Sequence, residues 1–113
     1  ANREIVGGYA ANDEMALGGI AGLKSAGKAG KVKGVGNDGI ADAVKAIKDG
    51  TLYATNAESP FALGSEVMDL AGKVANGQQV DKNKVLQGFL VKTADVPSYC
   101  QKLAALGDTA TCK

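Results

Sequence analysis

Histidine and tryptophan are absent from this 113-residue sequence, and aromatic residues make up only 4% of it. Without histidine there is no imidazole base, no Ser-His-Asp or Cys-His nucleophile and no imidazole-bearing zinc site, which excludes most hydrolase and metalloenzyme chemistries. Excess charge of one sign is missing too. Thirteen Lys and Arg stand against 12 Asp and Glu, a net +1, so no field exists to hold nucleic acid or anionic lipid. No apolar run approaches the roughly 18 residues of a spanning helix, and Ala1-Asn2-Arg3-Glu4 do not form the charged start of an export signal. The chain begins without methionine and reaches an apolar run by Ile5, from which we expect a piece of a longer protein.

What is present is an ordinary globular composition, 45% hydrophobic and 22% charged, with 16 glycines, enough to bury one core. Ile5 to Ala10 reads as a short strand. Asp13 then serves as N-cap of a helix from Met15 to Ala26, with Ala16, Ile20, Leu23 and Gly27 as its inner stripe. The unit recurs: Val32 to Gly36 is a strand, Asn37-Asp38-Gly39 a turn, and Ile40, Ala43, Val44 and Ile47 the apolar face of a second helix. Leu52 to Asn56 supplies a third strand, and Ser59-Pro60 announces a third helix with Gly64, Val67, Ala71 and Val74 inward. Val85 to Val91 is the longest strand candidate, and Asp95-Val96-Pro97 opens a last helix to about Leu106. Strands separated by helices predict crossover connections, hence an α/β fold with a Rossmann-like parallel sheet flanked by helices.

In such a sheet ligands bind beyond the carboxyl ends of the strands. The turns there are Ala11-Asn12-Asp13, Asn37-Asp38-Gly39 and Ala57-Glu58-Ser59. Helix capping accounts for Asp13 and Ser59, as for any Asp or Ser before a helix, and leaves Asn12 and Glu58 without a structural duty. An amide and carboxylates converging on one crevice, with no metal-type cluster, suit a ligand rich in hydroxyl groups, such as a sugar or polyol. Gly34-Val35-Gly36-Asn37-Asp38-Gly39 also matches G-x-G-x-x-G, with Glu58 placed 19 residues beyond Gly39. Its context is wrong for a dinucleotide, since Gly34 falls inside the strand and Asp38 would aim negative charge at a pyrophosphate. No cofactor is called for.

Cys100 and Cys112 form neither C-x-x-C nor a metal set, leaving a disulfide or two bystander thiols. If the last helix ends near Leu106, Gly107-Asp108 can turn the chain back so that Cys112 reaches Cys100, and we expect the two to be joined.

The segments Tyr9-Ala10-Ala11-Asn12-Asp13-Glu14-Met15-Ala16-Leu17-Gly18, Val35-Gly36-Asn37-Asp38-Gly39, Ala43-Val44-Lys45-Ala46-Ile47-Lys48-Asp49-Gly50 and Leu52-Tyr53-Ala54-Thr55 carry a family resemblance. From about Ile5 to Thr93 the sequence resembles the C-terminal third of ribose-binding-protein-like (type I) periplasmic solute-binding proteins of ABC sugar transporters. The resemblance implies a two-lobed, non-catalytic protein, exported to the periplasm, that closes on a sugar and presents it to a membrane permease. It places ligand contacts on Asn12, Asp38 and Glu58, the last where ribose binders have glutamine. It also implies three segments: residues 1–58 in the C-terminal lobe, 59–84 as a helix packed with a separate N-terminal lobe after a hinge crossing, and 85–113 as a strand, helix and tail. Val96 to Lys113 lie outside the shared pattern. The alternative is the ligand-sensing effector domain of a LacI-type repressor, which shares the fold but works in the cytosol, where thiols stay reduced.

Overall fold

The computed structural model describes residues 4–113; Ala1, Asn2 and Arg3, read above for a leader and as the head of the first segment, lie outside the described residues. Strand β1 (Gly7–Tyr9) leads through helix α1 (Asp13–Ser25) to β2 (Lys33–Asp38), then α2 (Ala41–Lys48), β3 (Ala54–Ala57), α3 (Pro60–Ala75), β4 (Phe89–Val91), a single 3-10 turn (Thr93–Asp95) and α4 (Val96–Ala105). The sheet order is β1-β2-β3-β4. The expected α/β fold is present, with β1, β2 and β3 parallel.

The fourth strand corrects the expectation in direction and length. β4 runs antiparallel to β3, pairing Ala57 with Phe89 and Thr55 with Val91. The chain therefore leaves the sheet after Ala57 and returns at the same edge, whereas a parallel strand would require a crossover helix packed on the sheet. α3 is not such a helix: none of its residues is buried, and Val67 and Val74 of its expected inner face are 53% and 57% exposed. Residues 85–88 stay outside the ladder because β3 offers a partner only from Ala54 to Ala57.

The core joins Ala16 of α1, Ala43, Val44, Ala46 and Ile47 of α2, Leu52, Ala57 and Val91 from the sheet region, and Val96, Tyr99 and Leu103 of α4. Burying Ile47, Leu52 or Leu103 contributes about 1.5–3 kcal/mol each. The short α2 is held here by its apolar face, since a helix of two turns does not persist on propensity alone. Ile20 and Leu23 of α1 are only half-buried, bordering an open apolar cleft with Gly8, Val32 and Gly34.

α4 is capped at Leu106, and Gly107, at φ 92°, reverses the chain. Cys112 comes back to Cys100, the Cα atoms 5.7 Å apart, and the two are joined as a disulfide. Both half-buried cysteines pack against the core.

Candidate functional site

The carboxyl ends of β1, β2 and β3 lie along one edge of the sheet, as their parallel register requires. Asn12 follows β1, Asp38 ends β2 and Glu58 follows β3. Asp38 and Glu58 face one open cleft of about 500 Å3, whose walls include Ile40, Ser59, Leu63 and Thr111. Asn12 is not on that wall.

The first turn reverses the roles expected of Asn12 and Asp13. Asn12 is the N-cap, with extended backbone (φ −145°, ψ 171°), and its Oδ1 accepts from the Met15 N–H at 2.8 Å. A cap needs a residue just outside the helix whose side chain turns back onto the first orphan amides, and Asn12 has that place. Asp13 is the first helical residue and is fully buried. Its Oδ2 accepts from the N–H groups of Gly39 (2.7 Å) and Ile40 (3.0 Å), and its Oδ1 from the Thr55 hydroxyl (2.7 Å). One carboxylate thus ties the start of α1 to β3 and to the turn that carries Asp38. It also takes N–H groups ahead of α2, whose N-cap Ile40 has no side-chain oxygen to offer.

Two glycines of the G-x-G-x-x-G match now have reasons unrelated to a dinucleotide. A methyl group at Gly36 would collide with the Asp13 carboxylate. Gly39 has φ 80°, and a methyl there would lie 2.5 Å from the Ala57 Cβ and 2.6 Å from the Tyr99 hydroxyl oxygen. That hydroxyl donates to the Gly39 carbonyl at 3.3 Å. Burial, with Asp108 and Asp13 nearby, pushes the Tyr99 pKa up, so it stays a donor at neutral pH.

Between these restraints Asp38 takes φ 118°, the sole positive φ at a non-glycine among the described residues. L-residues avoid this region, and the strain, on the order of 1–3 kcal/mol, persists only where neighbours over-determine the backbone. The Asp38 carbonyl accepts from Glu58 N–H at 3.1 Å. Its carboxylate Oδ1 accepts from Asn37 Nδ2 at 2.9 Å, and Asn37 Oδ1 in turn accepts from Asn56 Nδ2 at 2.9 Å. Asp38 is therefore fixed in backbone and side chain while remaining exposed. Sequence reading missed Asp13, Asn37, Asn56 and Tyr99 as positioning residues; the available signal was a strand glycine, Gly36, with no turn to make.

Asp38 and Glu58 together offer acceptors without a cationic partner on the cleft wall, an arrangement suited to ligand hydroxyl donors. Among the described residues no group of three or more His, Cys, Asp or Glu could hold a metal ion, and no helix is long and apolar enough to cross a membrane.

Residues 1–79 match the family model of the periplasmic binding protein domain. The ribose import binding protein of Salmonella typhimurium (strain LT2) is 45% identical over 80 residues, 71% of this chain and 27% of that protein. The D-allose-binding periplasmic protein of Escherichia coli K12 is 36% identical over 96 residues, 80% of this chain and 31% of that one. A crystal structure of an ABC transporter periplasmic solute binding protein from Actinobacillus succinogenes 130z with bound D-allose superposes with a TM-score of 0.80 at 32% identity, covering 87% of this chain and 35% of that one. A solute binding protein from Bacillus halodurans C-125 with bound myo-inositol gives 0.75 at 34% identity, covering 85% and 33%. The chain spans about a third or less of the length of each of these relatives.

Proposed function

We propose, from the premise that the chain belongs to the periplasmic binding protein family, that it forms one side of a sugar- or polyol-binding cleft in the solute receptor of an ABC import system. The observation that carries this reading is the placement of Asp38 and Glu58 on one cleft at the carboxyl edge of the sheet, with Asp38 held in a strained backbone by Asp13, Asn37 and Tyr99. The fixed Asp38 carboxylate, with Glu58 beside it on the cleft, selects ligands by the direction of their hydroxyl protons. Asn12, whose amide Nδ2 is free to donate once Oδ1 caps α1, is assigned to the same ligand from the neighbouring turn. The protein works by capture and release rather than by bond chemistry, in keeping with relatives that are named as binding proteins.

The second half of the cleft is assigned to a separate N-terminal lobe. The excursion from Glu58 to Gly88 leaves and re-enters the sheet at the ligand edge, and α3 buries none of its residues. Both features support residues 59–84 packing with that lobe, with residues 1–58 and 85–113 forming the C-terminal one. The membrane permease is the partner that receives the ligand, and the periplasm is the compartment. A disulfide fits an oxidising compartment, and the repressor reading has no comparable observation in its favour.

A thermal-shift panel of D-ribose, D-allose, xylitol and myo-inositol on the protein as its host produces it, with both sides of the cleft, tests the reading. At least one should raise the midpoint in a concentration-dependent way, since a ligand that binds only the folded state stabilises it. A flat response to all four, and to a wider set of pentoses and hexoses, would remove the sugar reading.

A further inference from the structure

The family match ends at residue 79, yet the tail beyond it reaches the cleft: Thr111 lies on the same wall as Asp38 and Glu58. One set of local bonds shapes the tail, and two ties at Cys112 hold it there. The Asp108 carboxylate accepts from Ala110 N–H (2.9 Å), Thr111 N–H (3.1 Å) and the Thr111 hydroxyl (2.6 Å), which pulls its pKa below the ordinary carboxylate value. Cys112 is joined to Cys100 on α4, one residue from Tyr99, whose hydroxyl grips the Gly39 carbonyl beside Asp38. The Cys112 carbonyl also accepts from Lys48 Nζ at 3.3 Å, fastening the tail to the end of α2. The disulfide thus closes the loop 100–112, with Tyr99 just outside one end against Gly39 and Thr111 just inside the other on the wall that Asp38 shares.

We propose that this disulfide-closed tail is a wall of the ligand cleft and that Thr111 is a specificity-determining residue in it. The inference rests on the sugar or polyol reading above for the identity of the ligand, but not for the position of the wall. A threonine hydroxyl has one proton and two lone pairs. Its proton is committed to Asp108, so toward a ligand the Thr111 oxygen acts only as an acceptor, the same polarity as the two carboxylates. A ligand hydroxyl directed at this wall is accepted, and an analogue lacking it leaves the oxygen unpaired. The tail therefore adds discrimination to that of the turns that carry Asp38 and Glu58.

The test compares Thr111→Val, Thr111→Trp and, as a control on the same exposed tail, Thr109→Trp, in the protein as its host produces it. Titration calorimetry with D-ribose, D-allose and myo-inositol gives the affinities, and amide chemical shifts of Ile40, Ala41 and Glu58 report the wall directly. Thr111→Val should weaken at least one of these ligands about fivefold and alter the ratio between them. Thr111→Trp should weaken every one that binds by tenfold or more, while Thr109→Trp leaves all affinities as they were. Opening the loop with Cys100→Ala and Cys112→Ala together should reproduce the loss seen with Thr111→Val. Unchanged affinities in Thr111→Trp would overturn the proposal. Should none of the three sugars bind the unaltered protein, the sugar reading fails on its own, and the shifts decide the wall: movement of the Ile40, Ala41 and Glu58 amides in Thr111→Trp supports it, and silence there overturns it.

Discussion

Replacing Asp13 by alanine removes an acceptor from the most enclosed polar cluster of the fold. The carboxylate is fully buried and takes three donors, of which the Gly39 N–H and Thr55 hydroxyl bonds are themselves buried. A hydrogen bond to a charged group contributes about 1.5–3 kcal/mol, and donors stranded without a partner add their desolvation. The two buried bonds alone therefore amount to about 3–6 kcal/mol, from which the relief of burying a carboxylate without a cation subtracts. The net expectation is about 3–5 kcal/mol, a large part of the roughly 5–15 kcal/mol that holds a domain of this size. Asp13→Asn should cost much less, about 1–2 kcal/mol, because its oxygen can face Gly39 and Ile40 while its amide donates to the Thr55 oxygen. Urea unfolding followed by far-ultraviolet circular dichroism measures both, since the chain has no tryptophan to report by fluorescence. The Asp13→Ala/Thr55→Val double variant should be more stable than the sum of the single losses by about 1 kcal/mol or more, because it removes both partners of one bond. A loss below about 1 kcal/mol in Asp13→Ala, or equal losses in Asp13→Ala and Asp13→Asn, would refute the reasoning.

Gly36→Ala drives a methyl into that same carboxylate and should cost about 1–3 kcal/mol, read as a lower urea midpoint with unchanged slope. Asp38→Gly relieves the positive φ, so the variant should be at least as stable as the parent while losing ligand binding; a marked loss of stability would show that the backbone there is not strained. Asp108 has its pKa lowered by the Thr111 hydroxyl and by the Thr111 and Ala110 amides. Its contribution is complete above its ordinary value of 3.8 and is lost as pH falls through the lower folded value. Hydrogen exchange at Ala110 and Thr111 should therefore stay slow, corrected for intrinsic rates, from neutral pH down to about 4 and speed up only in stronger acid. Loss of protection already above pH 5 would contradict the assignment.

The alternation of strand and helix was legible because each helix carries local signals that agree with its packing: Ser59-Pro60 starts α3, and Ala43, Val44 and Ile47 face the core from α2. The direction of β4 was not, because nothing in Val85 to Val91 records where the chain enters the sheet, and an unburied α3 differs from a crossover helix only in what surrounds it. The disulfide was within reach of arithmetic, since a short helix and a glycine reversal fix how far Cys112 can travel. The turns that carry Asp38 and Glu58 were legible from topology, and the resemblance supplied the expectation that the two residues meet a ligand. The exchange of roles between Asn12 and Asp13 was hidden because both are good caps, and only the room left by Gly36, a neighbour distant in sequence, decides which turns inward. Thr111 was invisible for a like reason: its place depends on a bond between two cysteines and on Asp108, with no pattern of its own.

The central claim is that Asp38 is a ligand contact on a sugar or polyol cleft. Isothermal titration of the unaltered protein as its host produces it, and of Asp38→Ala in the same form, with D-ribose, D-allose, xylitol and myo-inositol tests it most directly. Saturable binding of at least one of these by the unaltered protein is expected. In Asp38→Ala that binding should be weaker by about 1.5–3 kcal/mol, roughly ten- to a hundredfold or more in Kd. Equal affinity in the two proteins, with the fold of Asp38→Ala intact by circular dichroism, would contradict it.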